Sequence, residues 1–248
     1  MANPEVLSNP ISHLDQIDGY LRRGDTEIAR ILNNMCPPKG DKYINSDWKK
    51  ALDYAIGVPS SVLATPFIIG LATAKLIEDG SEPFFVHMRA SKIGDYAIND
   101  LPVWKIRCMK PNSDKGSRVN SDIAGGLTPD NDPRNTALGS FMRKFQLEEL
   151  PQLYQVVLGK MSFFGIRAIP LDEARELENK WSSERYRRWV EAYNSGKTGV
   201  SGLSQTIGSP LKWVQDNYHL DMFYYENASL GLDMYLIWRT AIRLAKIK

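Results

Sequence analysis

Two adjacent carboxylates, Glu148 and Glu149, stand in the run Phe141-Met-Arg-Lys-Phe-Gln-Leu-Glu-Glu-Leu-Pro-Gln-Leu153. A positioned carboxylate can attack an electrophilic phosphorus or ligate a hard divalent cation. Pro151 follows closely, and proline suits the first turn of a helix. The pair therefore lies just ahead of a helix start, where orphan amides and the dipole favour negative charge by roughly 0.3–1 kcal/mol. Within one α-helix the two side chains would point about 100° apart. The proline is expected to push Leu150 out of the α region. For the pair alone, decoration of a helix start is the simpler reading.

The basic residues nearby have phosphate-binding chemistry. Lys105 and Arg107 lie two apart on a predicted strand and share one face. Arg134 and Arg143 flank a short predicted helix, and Arg167 follows the next one. Guanidinium groups match phosphate oxygens bidentately. Carboxylates among such cations suit a metal-assisted reaction on a diphosphate. A solvated, salt-bridged face is the competing reading, and spacing alone leaves it ahead. Gly196-Lys-Thr198 is not a nucleotide loop, because the upstream glycine of that motif is replaced by Glu191. The two cysteines, Cys36 and Cys108, and the three histidines have no zinc or disulfide spacing.

The elements that must hold these residues read as α+β, predominantly helical. The chain has 248 residues, 43% hydrophobic and 24% charged, with a formal charge of +2. That balance is globular and too weakly basic for nucleic acid to be the main ligand. Residues 1–46 read as an extension, with a helical stripe near Ile11 to Leu32 and a break at Cys36-Pro-Pro. Tyr54 to Ala74 contains no charged residue, long enough to cross a bilayer as a helix of about 20 residues. Pro66 predicts a kink near its midpoint, with the Ser61 and Thr65 hydroxyls available to backbone carbonyls. A spanning and a re-entrant helix both fit. Phe84–Met88 and Val103–Cys108 read as a small β-hairpin region, and residues 110 to 131 as a loop. Thr136–Lys144, Pro151–Leu158, Leu171–Ala192, 211–227 and 229–247 read as helices. The last is amphipathic, with Met234, Ile237, Trp238, Ala241, Leu244 and Ala245 opposite Arg239, Arg243 and Lys246, and fits either the membrane interface or a core. No basic-then-apolar signal opens the chain, so the cytoplasm or the cytoplasmic membrane face is expected.

In this order the motifs resemble the bacterial sugar transferases, the monotopic phosphoglycosyl transferases. The likeness runs from about residue 48 to 248. Lys49-Lys50-Ala-Leu-Asp53 resembles the family's opening before its membrane helix, and Thr65-Pro66 its helix break. Glu82-Pro-Phe-Phe85 with Arg89 resembles the strand that follows, and Lys105-Ile-Arg-Cys-Met109 the Lys-Phe-Arg-x-Met motif. Asp132-x-Arg134-x-Thr136-x-x-Gly139 with Arg143 resembles a further block, and Gln146-Leu-Glu-Glu-Leu-Pro-Gln152 the catalytic Ser-Leu-Asp-Glu-Leu-Pro-Gln. Gly159-Lys-Met-Ser162, Gly165-Ile-Arg167, Thr198-Gly-Val-Ser-Gly-Leu-Ser-Gln205, Leu220-Asp221 and Leu232-Asp233 complete the series.

The resemblance implies three regions: the extension 1–46, a membrane-associated re-entrant helix over 47–80, and a cytoplasmic catalytic domain over 81–248. It implies transfer of a sugar-1-phosphate from a UDP-sugar to polyprenyl phosphate, with release of UMP, through a covalent carboxylate–phosphosugar intermediate and with Mg2+. Glu148 is then the nucleophile and Glu149 its acidic neighbour, both metal ligands. Lys105, Arg107, Arg134, Arg143, Arg167 and Gln205 are the substrate contacts. The partners expected are the UDP-sugar, polyprenyl phosphate and membrane lipids, with a second copy of the chain or glycosyltransferases of the same pathway beside them. Five positions depart from the family pattern. Glu148 stands for Asp, Ile166 and Ala168 for the two prolines around Arg167, Thr198 for Pro, and His87 for Gln. They leave two outcomes open: an active transferase, or a catalytically weakened homologue with a binding or regulatory role.

Overall fold

The computed structural model of the chain describes residues 39–94, 100–111, 113, 132–203, 206 and 218–245. The helical stripe predicted near Ile11 to Leu32, most of the 110–131 loop and Gln205 fall outside them. The described part is α+β and mostly helical.

A short helix α1 (Asp41–Ile44) leads into α2 (Asp47–Asp79), whose 33 residues correspond to about 50 Å of helical rise. The Ser46 side chain caps α2 by accepting from Lys49 N, and Gly80 closes it in the left-handed conformation at φ 68°. Pro59 and Pro66 lie inside α2. The break expected at Thr65–Pro66 does not interrupt it. Each proline removes a single amide donor, and nearby carbonyls gain hydroxyl donors: Ser61 Oγ donates to Val58 O and Thr65 Oγ1 to Ser61 O.

One stripe of α2 is buried: Lys49, Asp53, Gly57, Ser61, Ala64, Ile68, Ala72 and Lys75. Spacings of three and four keep it on one side of the helix. Its middle is small, which lets the backbone approach α4 (Gln152–Val157); a side chain on Gly57 would meet Val156. The opposite face is apolar and uncovered, with Val62 65%, Leu63 71%, Phe67 65% and Ile77 79% exposed. This helix is long and apolar enough to cross a membrane.

Strands β1 (Phe84–Arg89) and β2 (Leu101–Ile106) pair antiparallel, with Phe85 opposite Lys105 and His87 opposite Val103. Helix α3 (Ala137–Lys144) starts at Thr136, whose side chain accepts from Gly139 N. A 3-10 turn, Leu147–Glu149, joins it to α4. β3 (Ser162–Phe164) and β4 (Gly199–Ser201) pair in parallel. Helices α5 (Leu171–Lys180), α6 (Ser183–Asn194), α7 (Tyr218–Asn227) and α8 (Leu230–Ala245) complete the body.

Two expectations are corrected here. Leu171–Ala192 is not one helix. Trp181 is extended at ψ 158°, which lets its indole pack edge-on against Trp189 and Tyr218, and Ser182 caps a new helix. Leu150 is not extended either; it is helical at φ −50° and ψ −37°. The restriction ahead of a proline is a bias, and here the 3-10 turn runs into α4 with Leu150 N donating to Leu147 O and Leu153 N to Leu150 O.

A buried polar knot ties α1, α2, α7, α8 and β3 together. The carboxylate of Asp233, with no exposed surface, accepts from Lys49 Nζ at 2.6 Å, Tyr224 Oη at 2.8 Å and Tyr43 Oη at 3.1 Å. Asp53 pairs with Lys49 at 3.6 Å and accepts from Ser162 Oγ and Phe163 N. Removing one member would strand a buried charge, at a cost of about 3–5 kcal/mol.

Candidate active site

The left-handed residue Gln146, at φ 57°, ends α3 and turns the chain into the 3-10 turn that carries Glu148 and Glu149. With about three residues per turn, neighbouring side chains diverge by roughly 120°. The two carboxylates consequently enter different environments. Glu149 accepts from Lys105 Nζ at 2.6 Å. Burial pushes its pKa up, but Lys105 and Arg167 outweigh burial and hold it below the usual glutamate value. Glu148 is held above that value by burial first and then by the Glu149 charge. Its Oε2 is buried and accepts no hydrogen bond from the described residues.

Glu148 lines a cavity of about 330 Å³, which also receives Lys105, Arg107, Arg134, Arg143 and Arg167. That volume lies within the range of small-molecule sites. The five cations expected from the sequence therefore share one concavity, although they come from β2 and the residue just past it, the segment before α3, α3 itself and the segment after β3. They are not equally available to a ligand. Arg107 gives two donors to Asp79, at 2.7 and 3.1 Å, and others to the Glu82 and Met109 carbonyls. Arg134 is held by Asp132 at 2.7 Å. Lys105 is committed to Glu149. Arg143 acts on Glu148 and on the Cys108 thiol, and Arg167 on Glu149 and Arg89. Burial, with the Glu148 charge, pushes Cys108 up to about 11, so the thiol stays protonated.

The sequence reading passed over part of the lining. Phe85, His87 and Arg89 share the β1 face with that cavity. Arg89 is buried, donates toward His87 Nδ1 at 3.1 Å and approaches Glu173 at 3.9 Å. Burial, then Arg89, drives His87 down to about 4, so the imidazole is neutral near pH 7. With Nδ1 accepting, Nε2 carries the proton and is a donor. The alternation Phe85-x-His87-x-Arg89 was the available signal. Thr65 lies elsewhere, its hydroxyl 2.7 Å from Tyr154 Oη, and Pro66 belongs to the same α2 turn.

Among the described residues no cluster of three or more metal-ligating side chains exists. The pair nevertheless suits a magnesium ion in part. Such an ion is commonly held by one or two carboxylates plus substrate phosphate oxygens, and the buried, partnerless Glu148 Oε2 is a donor of that kind.

Residues 44–246 match the family model described as bacterial sugar transferase. The undecaprenyl-phosphate galactose phosphotransferase of Salmonella typhimurium is 31% identical over 96% of this chain and 47% of its own length. The UDP-glucose:undecaprenyl-phosphate glucose-1-phosphate transferase of Klebsiella pneumoniae is 27% identical over 81% of this chain and 40% of its own. The exopolysaccharide production protein ExoY of Sinorhizobium fredii is 26% identical over 77% of this chain and 83% of its own. The chain spans about half the length of the first of these.

Proposed function

From this chain's membership of the bacterial sugar transferase family, we propose that it transfers a sugar-1-phosphate from a UDP-sugar to a polyprenyl phosphate at the cytoplasmic membrane face. The observation that carries this reading is the Glu148 oxygen, buried without a donor in a cavity ringed by cations. The names of the relatives supply the substrate classes.

Glu148, once ionised, attacks the β-phosphorus of the UDP-sugar. The bond from that phosphorus to the oxygen bridging to the α-phosphate breaks, and UMP leaves with the electron pair. Arg143 and Arg167 stabilise the charge that develops on the phosphoryl oxygens. An oxygen of polyprenyl phosphate then attacks the same phosphorus and releases Glu148, so the carboxylate is regenerated. Glu149 stays ionised against Lys105. Glu148 and Glu149 are the residues to hold Mg2+, which supplies charge neutralisation on the diphosphate when bound.

The membrane placement has its own support. Both ends of α2 are bonded to the same folded body. At the start, Lys49 and Asp53 join Asp233 and Ser162. At the end, Lys75 donates to Thr136 Oγ1 at 2.9 Å and Asp79 binds Arg107. A helix so tethered enters and leaves on one side, with its uncovered apolar face in lipid. On α8 the core takes Leu232, Tyr235 and Leu236, with Ile237 of the apolar face read from sequence packed against it, while Trp238 and Ala241 of that face are exposed for the membrane interface.

The test is UMP release from a panel of UDP-sugars with undecaprenyl phosphate and magnesium. We expect turnover that Glu148→Gln abolishes. Wild type inactive with every donor, beside an active Glu148→Asp, would instead identify a catalytically weakened homologue. Full activity in Glu148→Gln would remove Glu148 as nucleophile.

A further inference from the structure

A second cavity, about 370 Å³, opens at the start of α2, away from Glu148. Five lysines and one aspartate line it: Lys49, Lys50, Lys92, Lys160, Lys197 and Asp53. The single carboxylate is already consumed by Lys49, Ser162 and Phe163. Lys49 is spent on Asp233 as well, and Lys50 on Asp47 at the surface. Lys92 donates to the Asn194 and Gly196 carbonyls, which leaves its charge uncompensated by any carboxylate there. Lys160 and Lys197 are exposed and make no ion pair within the described residues. The Thr198 Oγ1, on a residue 3% exposed, is buried and has no partner among the described residues. The wall behind these polar groups is apolar, from Ile44, Phe164 and Tyr224.

The position of the cavity says which anion fits. Its rim adjoins the first turns of the helix that turns an apolar face outward. Gly159 is bracketed by both sides of that boundary: a side chain there would meet Tyr54 Oη at 3.4 Å and Lys197 Nζ at 3.5 Å. Trp48 and Tyr54 are exposed just ahead of the apolar face, and such aromatic residues favour the headgroup level of a bilayer. Lysines at that level attract anionic headgroups.

We propose that this cavity binds the phosphate headgroup of an anionic membrane lipid, with Lys160 and Lys197 pairing the charge and Thr198 donating to a phosphate oxygen. The site is separate from the transfer centre, yet two segments run from one to the other: Ile166 and Thr198 line this cavity, while their neighbours Arg167 and Gly199 line the spaces around Glu148 and Glu149. The inference rests on the membrane placement proposed above and not on turnover.

The experiment is equilibrium binding of a fluorescent phosphatidylglycerol to the full chain in non-ionic detergent micelles. Unlabelled phosphatidylglycerol, phosphatidylcholine and inorganic phosphate serve as competitors. Wild type should bind saturably, with only unlabelled phosphatidylglycerol competing well. Lys160→Ala and Lys197→Ala should each weaken binding roughly fivefold, the effect of one lysine at an anionic lipid surface. Thr198→Val, which keeps the shape, should weaken it as well, and Lys180→Ala, on the distant α5 surface, should not. Wild-type affinity in all three cavity variants would overturn the proposal. Displacement by inorganic phosphate as effective as by the lipid would overturn the lipid assignment in favour of a soluble phosphate. Sedimentation with pure phosphatidylcholine vesicles tests the membrane placement separately: failure there removes that premise, whereas sedimentation with unaltered lipid binding in the variants removes the site alone.

Discussion

Lys105 Nζ lies 2.6 Å from Glu149 Oε1, while no donor among the described residues reaches the buried Oε2 of Glu148. Neighbours in the chain are thus shifted in opposite directions. Burial and the Glu149 charge raise Glu148, so it is protonated at a pH where an ordinary glutamate, at 4.5, is ionised. A nucleophilic carboxylate must be ionised, and activity is therefore lost as pH falls through the raised value. The acidic limb of the pH–kcat profile should lie above 4.5 and should move higher still in Lys105→Met, because Lys105 opposes the rise. An acidic limb at or below 4.5 would separate Glu148 from the rate. Arg143→Ala should lower kcat by about 100-fold, the scale of losing one transition-state donor, with thermal stability little changed. Pairing, spacing and residue type were visible in the sequence at this scale. The split between the two carboxylates was not, since it depends on Lys105 arriving from a strand far along the chain.

Helix α3 touches the strand end at Cys108 more closely than any side chain would allow. A Cβ on Gly139 would overlap the Cys108 carbonyl, and that approach fixes Arg143 against Cys108 and Glu148. Gly139→Ala should therefore destabilise the fold by roughly 1–3 kcal/mol, the cost of overpacking, although alanine is the better helix former. A chemical denaturation series measures this. Another test concerns α7 and α6, joined by Trp189 Nε1 donating to Asp221 Oδ2 at 3.1 Å. Burial raises Asp221 from 3.8 to about 7. The folded state then binds the extra proton between those values, and its stability falls as pH rises from about 4 to 7. Asp221→Asn keeps an acceptor and should flatten that part of a Tm-against-pH curve. The uncharged length of α2, the hairpin and the helix from Thr136 were readable from local pattern. The break at Trp181 was not, because it is driven by the indole packing on Trp189 and Tyr218, and Tyr218 lies on a helix more than thirty residues away.

Across the whole molecule, the uncovered apolar face of α2 and the tethering of both its ends make one prediction about topology. Lys42 and Lys180 are exposed beside α2 and on α5. Single cysteines, Lys42→Cys and Lys180→Cys, should both resist an impermeant thiol reagent applied to intact cells and both react after lysis. Labelling of Lys42→Cys from outside would mean that α2 spans the bilayer. Both variants are made in a Cys36→Ser background, and the remaining native Cys108 is buried, with a raised pKa, so it would not obscure the result.

The sequence by itself determined the membership, the apolar length of α2 and the identity of the acidic pair with most of its cations, because these are carried by residue types in fixed local order. Only the tertiary structure decided which carboxylate has its pKa raised and which lowered, which arginines are already spent on Asp79 and Asp132, and that His87 and Arg89 join the cavity. Charge state and donor availability are set by burial and by partners distant in the chain, and those exist only once the hairpin, α3 and the 3-10 turn close around Glu148 and Glu149.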